Sequence, residues 1–250
     1  MKKLAVFLLM LPALQSMAQT PSELVEQGNQ SYTRGEYSNA AAHYEKVLEM
    51  GWEAPELYYN LGNAYYKMNQ IPGAILNYER GLRLRPGDKA LRYNLDLARE
   101  KLTDRIDPIP PLFYEKWWTG FLQIQSADAW AKTGLFLVSF FLGCVLWFFF
   151  ARTVVQKKSA FVLGVILLFL ASLALLSANR QYRNQYLKKE AVLFVPRVSA
   201  KSGPGANNPD LFVIHAGTKA TITNELNEWA EIQLPNGNLG WVRKETLEVI

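Results

Sequence analysis

Two long apolar segments, residues 133–151 and 159–179, constrain the fold of this chain more than any other feature. Neither contains a charged residue, and each approaches the roughly 20 residues that an α-helix needs to cross the hydrocarbon core of a bilayer. Because only residues 152–158 lie between them, the two spans should form a helical hairpin whose ends share one compartment. The alternative, two buried helices of a soluble core, is disfavoured because the first segment leaves no polar face for water. Its large apolar side chains include Phe140, Phe141, Leu146, Trp147, Phe148, Phe149 and Phe150.

The composition argues against several classes of function. The net charge is +5, without a basic run interleaved with aromatics, so nucleic acid is not an expected partner. Cys144 is the only cysteine, which excludes a disulfide within the chain and a cysteine-cluster metal site. His43 and His215 lie in different segments without a nucleophile or ligand set around them, and no glycine-rich phosphate loop occurs. We therefore expect no catalytic residue, no metal and no cofactor.

Residues 1–18 have the pattern of a secretory signal peptide. Lys2 and Lys3 precede an apolar core, and the small residues Ser16 and Ala18 stand where a signal peptidase requires them. Cleavage before Gln19 would export the following residues, in a bacterium to the periplasm. An uncleaved anchor is the alternative, and it would export them as well.

Residues 20–104 are predicted to be helical and repeat with a period of 34. Gly28 recurs as Gly62 and Tyr44 as Tyr78, and a third copy begins at Lys89 and then stops. This period, with small residues where helices cross and aromatics between them, resembles tetratricopeptide (TPR) repeats. The resemblance implies two helix pairs followed by a capping helix at residues 89–103.

In TPR proteins the first helix of each pair lines a concave face that binds an extended peptide or a partner's helix. Mapped onto this chain, that face predicts the partner-binding residues Asn29, Tyr32, Tyr59, Asn63, Tyr66, Lys67 and Tyr93. Tyrosine supplies rigid contact area with a hydroxyl, and asparagine can bond a peptide backbone. Packing between helices is the alternative role for any one of the tyrosines. Val25 and Asn94 stand where the family's carboxylate clamp has basic residues, so we do not expect a C-terminal carboxylate to bind.

Residues 105–132 are predicted to be a linker with a proline-rich start. Residues 107–111, Asp-Pro-Ile-Pro-Pro, should form a stiff extended spacer. The aromatics and lysine that follow suit a headgroup layer, so residues 115–125 are predicted to be an interfacial helix, with an ordinary loop as the alternative. Residues 180–189 are predicted to be a basic linker beside the membrane. Cations flank both ends of the hairpin, so a cytoplasmic position for the loop at 152–158 depends on the export signal.

Residues 190–250 change to short alternating strands with turn residues between them. The predicted strands are 191–195, 212–215, 220–224, 229–233 and 240–242. The order of Ser-Gly-Pro at 202–204, Gly217, Trp229 and Gly-Trp-Val at 240–242 resembles the bacterial SH3-like (SH3b) barrel. The resemblance implies binding of cell-wall peptides or protein partners. Trp229 and Trp241 are the candidates for an aromatic groove, with Trp241 the predicted partner-binding residue, and a core or near-core position in the barrel is the alternative for both.

The expected fold class is multidomain: an all-α TPR helical repeat array, a two-helix transmembrane hairpin and a small all-β SH3-like barrel. This order resembles the BatE proteins of the Bacteroides aerotolerance operon. The resemblance implies a non-enzymatic scaffold in the bacterial inner membrane, with both soluble domains in the periplasm and membrane lipid around the hairpin. It further implies partners among membrane-anchored von Willebrand A-domain proteins and a MoxR-type ATPase system, in tolerance of oxidative or envelope stress. The alternative is a peptidoglycan-binding membrane anchor or sensor.

Overall fold

The computed structural model describes residues 19–110, 112–183 and 187–250. The signal peptide expected at residues 1–18 lies outside the described residues. Five helices form the helical domain (residues 20–102), and a linker and a short helix lead to two long apolar helices. Seven strands then form the β-domain (residues 190–250). The helical array, apolar helix pair and all-β domain predicted from the sequence are present in that order.

Two antiparallel helix pairs begin the helical domain. They are α1 (Pro21–Thr33) with α2 (Tyr37–Glu49), and α3 (Pro55–Lys67) with α4 (Ile71–Leu84). A capping box starts α1, because Thr20 Oγ1 accepts from the Glu23 amide and the Glu23 carboxylate accepts from the Thr20 amide. Glycine lets the helices of a pair approach closely: a Cβ added to Gly62 would lie 2.5 Å from Tyr78 Cε1. The repeat seen in the sequence is therefore a repeat of helix-crossing geometry.

A fifth helix, α5 (Lys89–Arg99), covers the apolar face of α4. Asp88 caps it by accepting from the amides of Ala90 and Leu91. Leu91 and Leu95 on its inner face are almost fully buried, which is the role expected of a capping helix.

The two apolar segments form long antiparallel helices, α7 (Ala127–Phe150) and α8 (Val154–Tyr182). Both are long and apolar enough to cross a membrane. Small residues form most of the contact between them: Gly134, Ala160, Gly164, Ala171, Ala174 and Ala178. The large side chains point away from this contact and are mostly exposed. An exposed apolar surface of this size suits lipid and does not suit water.

The connection between α7 and α8 is shorter than the loop predicted at residues 152–158. Thr153 and Gln156 form a capping box, so α8 begins at Val154. Lys157 and Lys158 therefore lie on the first turns of the helix. Absence of charge marks the apolar part of a helix, but the helix itself can extend beyond it.

The linker does not act as a free spacer, since it lies along the β-domain. The Ile109 amide donates to the Pro235 carbonyl at 3.1 Å, and Ile106 packs against the β-domain core. The short helix that follows, α6 (Phe113–Leu122), begins and ends slightly earlier than the interfacial helix predicted at 115–125.

Seven antiparallel strands form one strongly curved sheet in the order β3-β2-β6-β5-β4-β1-β7. They are β1 (Glu190–Leu193), β2 (Arg197–Lys201), β3 (Asp210–His215), β4 (Lys219–Leu226), β5 (Trp229–Gln233), β6 (Leu239–Arg243) and β7 (Leu247–Val249). Leu193, Ala230, Ile232 and Val242 are fully buried in the core that the sheet encloses. The turn between β5 and β6 uses Gly237 at φ 88°, which fits its hairpin sequence.

All five predicted strands are present, with ends that differ by at most two residues, but β2 and β7 were not predicted. β2 follows Pro196 and carries polar residues at alternate positions, and β7 has only three residues. Pairing with β3 and β1 holds these two strands in place. Such pairing is a tertiary effect that a local pattern does not reveal.

Candidate functional site

A groove of about 250 Å³ runs across the concave side of the helical domain. Its walls come from the first helix of each pair and from α5, with one residue of α4 at the base. We call it the tyrosine groove and define it by Tyr32, Tyr59, Asn63, Tyr66, Lys67, Tyr78, Asn94 and Leu97. Helices α1, α3 and α5 stand side by side because α2 and α4 fill the other side of the array.

Two equivalent hydrogen-bond units connect the helices of this domain, and the residues of the second unit line the groove. In the first, Asn29 Oδ1 accepts from the Tyr44 hydroxyl at 2.8 Å and from the Asn60 side-chain amide at 3.2 Å. In the second, Asn63 Oδ1 accepts from Tyr78 at 2.8 Å and from Asn94 at 2.8 Å. The first unit joins α1 and α2 to α3, and the second joins α3 and α4 to α5.

These internal hydrogen bonds determine which side-chain groups of the two asparagines remain available to a ligand. The side-chain carbonyl of Asn63 is used twice within the protein, so its amide group is the part that remains for a bound backbone carbonyl. Asn29 has the same internal bonds but does not line the groove.

Burial keeps the hydroxyls of the inner tyrosines neutral. It raises the pKa of Tyr44 to about 12, and it raises the pKa of Tyr32 and Tyr78 as well. Nearby tyrosines add to the rise in each case. These side chains therefore stay hydrogen-bond donors at any physiological pH.

The open end of the groove carries two cations. Lys67 is exposed at the end of α3, and Lys101 Nζ lies 4.2 Å from the centre of the Tyr66 ring. A cation over an aromatic face is favourable and fixes the ring. The groove thus combines aromatic walls, amide groups and positive charge at one end.

The structure brings together five of the eight residues predicted to bind a partner: Tyr32, Tyr59, Asn63, Tyr66 and Lys67. Asn29 lies beneath the groove. Tyr93, which is 65% exposed, does not line it, and Trp241 belongs to the β-domain. Whether any of the eight contacts a partner stays a prediction.

Sequence reasoning missed four residues in or beside the groove: Tyr78, Asn94, Leu97 and Lys101. The 34-residue period contains the signal for three of them. Leu97 follows Asn63 by one period, Asn94 follows Asn60, and Lys101 follows Lys67. Extending the predicted positions Asn63 and Lys67 by one period into the capping helix would have found Leu97 and Lys101.

Both tryptophans of the β-domain lie on the outer face of the sheet. Trp229 alternates with buried Ala230, and Trp241 with buried Val242, so their side chains point away from the core. The Arg243 guanidinium lies 5.8 Å from the Trp229 ring centre. Both side chains are half-buried and lie outside the buried core cluster, and a binding role for Trp241 stays a prediction.

The end of the helical domain is joined to the β-domain through a carboxylate in the linker. Asp104 accepts from the His215 amide at 2.6 Å and from the Thr218 hydroxyl at 2.9 Å, and it lies 2.7 Å from His215 Nδ1. Burial alone would raise the pKa of Asp104, but these hydrogen bonds outweigh it and hold the pKa below its usual value.

A charged network forms a second junction between the domains. Lys219 contacts Glu79 of α4 at 2.9 Å and Glu190 of β1 at 2.7 Å. Glu79 also contacts Arg99 at 2.7 Å. Burial would lower the pKa of Lys219, but the two carboxylates outweigh it and raise that pKa. The ammonium therefore stays charged and bridges the domains.

A cleft of about 1210 Å³ lies beside these junctions, between the linker, α5 and the β-domain. Both acidic and basic side chains line it, and it is open to solvent. In the described part of the chain, no group of three or more His, Cys, Asp or Glu residues could hold a metal ion.

Comparisons with known proteins identify both soluble domains. A TPR repeat model matches residues 28–69, and a tetratricopeptide repeat model matches residues 55–88. A bacterial SH3 domain model matches residues 197–248. No curated protein matches the chain significantly.

Among solved structures, the chain is similar to the Sgt2 TPR domain from Aspergillus fumigatus, with 18% identity and a TM-score of 0.31. The match covers 78% of this chain and 93% of that chain. We draw no functional conclusion from so low a score. The chain contains TPR repeats and a bacterial SH3 domain, with two long apolar helices between them.

Proposed function

We propose that this protein is a non-enzymatic, membrane-anchored scaffold whose tyrosine groove binds an extended segment of a protein partner. The tyrosine groove is the observation that carries the proposal. TPR repeats and SH3 domains are interaction modules, which supports a binding role for the chain. The groove is concave, lined by aromatics and built on rigid helices, as a peptide site requires.

The groove favours a particular kind of segment. Tyr32, Tyr59 and Tyr66 offer ring faces and edges to apolar side chains, while the Asn63 amide can donate to a backbone carbonyl. Lys67 and Lys101 favour an acidic residue at the open end. We therefore expect an extended internal segment with apolar anchors followed by an acidic side chain.

The membrane anchor is the pair α7 and α8. Antiparallel packing places the start of α7 and the end of α8 together, so both soluble domains belong on one side. With export by the leader, that side is the periplasm and the membrane is the bacterial inner membrane. Alkaline phosphatase fused after Leu102, after Gln156 and at Ile250 tests this orientation. Activity at Leu102 and Ile250 alone is expected, whereas activity at Gln156 alone would place both domains in the cytoplasm.

The order of domains supports a place in an aerotolerance or envelope-stress complex. Proteins with the BatE arrangement act beside membrane-anchored von Willebrand A-domain proteins and a MoxR-type ATPase, and we propose partners of these classes here. The groove would hold an extended segment of one such membrane protein next to the bilayer.

Capture of partners by the full chain tests the groove. Tyr66→Ala with Tyr32→Ala should remove partners that wild-type protein in nanodiscs retains, because both rings line the groove. Trp52→Ala is the matched control, since Trp52 is 61% exposed and outside the groove. Tyr93→Ala shows whether the site extends along α5. Equal capture by the double variant and wild type would refute binding in the groove.

A second candidate function, a peptidoglycan-binding anchor or sensor, is favoured by the outward position of Trp229 and Trp241. Aromatic side chains on an outer sheet face can stack on a wall peptide or sugar. Sedimentation of the protein with purified cell wall separates the two functions. Binding that is lost in Trp241→Ala but kept in Tyr66→Ala would favour the anchor, and absence of binding would remove it.

A further inference from the structure

One face of α6 is fixed against the hairpin. Trp118 stacks on Phe121 with ring centres 5.5 Å apart, and Phe121 contacts Trp130 of α7 at 5.0 Å. Trp130 is 7% exposed, donates to the Leu122 carbonyl and packs against Ala178 of α8. These contacts hold α6 where α7 begins and α8 ends.

Other large apolar side chains of α6 are exposed in the described part of the chain. Phe113 is 87% exposed and Trp117 is 74% exposed, and they lie one turn apart. Ile124, just beyond the helix, is 66% exposed, and Tyr114 is 53% exposed beside Phe113. We call this set the aromatic face.

Four exposed cations lie on α6 and at the same end of the hairpin. They are Lys116 on α6, Lys132 on α7, and Arg180 and Arg183 at the end of α8, and all four are exposed. Within the described ranges, none of the four forms an ion pair. Lys188 and Lys189, by contrast, pair with Glu190 and Glu225. The charge near the aromatic face is therefore available to an external anion.

We infer that the aromatic face and these four cations bind the surface of a bilayer that contains anionic lipids, with α6 lying in the headgroup layer. Tryptophan and tyrosine favour this layer, because one part of each ring system is apolar and another part is polar. Clustered lysine and arginine beside a span attract anionic headgroups. A protein surface would satisfy the aromatic rings but would not require exposed, unpaired cations on three helices where the apolar segments end.

This arrangement would also set the height of the helical domain above the membrane. Arg92 of α5 donates to Gln123 Oε1 at 3.0 Å and to the Pro86 carbonyl at 2.8 Å, which ties the helical domain to the end of α6. A helix held in the headgroup layer would then hold the tyrosine groove at a fixed distance from the lipid.

Spin labels on the full chain test the position of α6. The inference rests on the proposed membrane anchor, so a label on the hairpin is included to separate the two. In a Cys144→Ser background, single cysteines replace Trp117, Phe140 of α7 and Tyr93, and each carries a nitroxide in nanodiscs that contain phosphatidylglycerol. Power saturation with oxygen and with a water-soluble nickel chelate measures the depth of each label.

We expect Phe140→Cys to be deep in lipid, Trp117→Cys to be at headgroup depth and Tyr93→Cys to be in water. Water exposure of Trp117→Cys with Phe140→Cys in lipid would overturn the inference and leave the anchor intact, assigning the aromatic face to a protein partner. Water exposure of both labels would refute the anchor itself.

Spin-labelled lipids test the cations. The wild type should hold phosphatidylglycerol several-fold more strongly than phosphatidylcholine, and salt should weaken that preference. Replacing the four cations by glutamine should remove most of it, whereas Lys188→Gln should not, since Lys188 already has a carboxylate partner. An unchanged preference in the fourfold variant would overturn the role assigned to the cations.

Discussion

Asp104→Asn should release the linker from the β-domain. The carboxylate accepts from the His215 amide and the Thr218 hydroxyl and contacts His215 Nδ1, and its side chain is only 14% exposed. An asparagine keeps one acceptor oxygen but turns an amide donor towards groups that themselves donate. Hydrogen bonds to a charged group contribute about 1.5–3 kcal/mol each, and the remaining acceptor offsets part of the loss. We expect the docked linker to lose about 2 kcal/mol, which corresponds to roughly 30-fold more frequent opening.

Hydrogen exchange on the full chain in nanodiscs measures this opening. The Ile109 amide is the reporter, because it donates to Pro235 and loses no direct partner in the variant. It should exchange about 30-fold faster in Asp104→Asn, while the Val242 amide in the core sheet should not change. Asp210→Asn is the matched control, since Asp210 pairs with Lys201 on the surface, and its effect should be undetectable. Unchanged exchange at Ile109 in Asp104→Asn would show that this carboxylate does not hold the linker.

The same reporter has a defined pH dependence. The folded pKa of Asp104 lies below that of an unfolded aspartate, which is about 3.9. Its contribution is therefore complete above about pH 3.9 and is lost as the pH falls through the folded pKa. The difference between wild type and Asp104→Asn should shrink over that acidic range. A difference that stays constant down to lower pH would contradict the assignment to an ionised carboxylate.

Two further variants test the packing and the second junction. Gly62→Ala would force a Cβ towards Tyr78 and should lower the stability of the helical domain by about 1–3 kcal/mol in thermal unfolding; Gly120→Ala, with no atom within 4 Å of the added Cβ, should not. Lys219→Met would remove the cation that Glu79 and Glu190 share. It should destabilise the junction by about 3 kcal/mol, measured by denaturant unfolding. Equal melting temperatures for Gly62→Ala and Gly120→Ala would contradict the close contact at Gly62. A free energy of unfolding for Lys219→Met equal to that of the wild type would contradict the role of the second junction.

The helical domain was predicted well from the sequence because the same packing contact between two helices occurs in both repeats. A glycine facing a tyrosine occurs twice, at Gly28 with Tyr44 and at Gly62 with Tyr78, so the same error would have to occur twice to mislead. Tyr32, Tyr59 and Tyr66 of the groove were predicted from the same register. The hydrogen bonds that the Asn29 and Asn63 side-chain carbonyls accept could not be predicted from this register. Their donors come close only when the helices pack together.

The junction between the domains could not be predicted in this way. Asp104 and His215 are more than a hundred residues apart, and nothing near either position indicates the other. The proline-rich linker suggested a spacer because proline removes amide donors. One amide remains between two prolines, that of Ile109, and it is the one that bonds to Pro235. The effect of proline on the backbone predicts an extended linker, but it does not predict which surface the linker contacts.

A docked linker changes how two binding domains on one anchor would act together. A flexible linker raises the effective concentration of the second domain for any partner whose sites it can span. Here Asp104, Lys219 and the Arg80 bond to the Val249 carbonyl fix the domains to each other, so only a partner of matching geometry could engage both. Binding of such a partner would cost less conformational entropy, because this protein's two domains are already ordered relative to each other. The junctions therefore favour selectivity among partners, and variants that open them should weaken binding that spans both domains while leaving binding to the tyrosine groove unchanged.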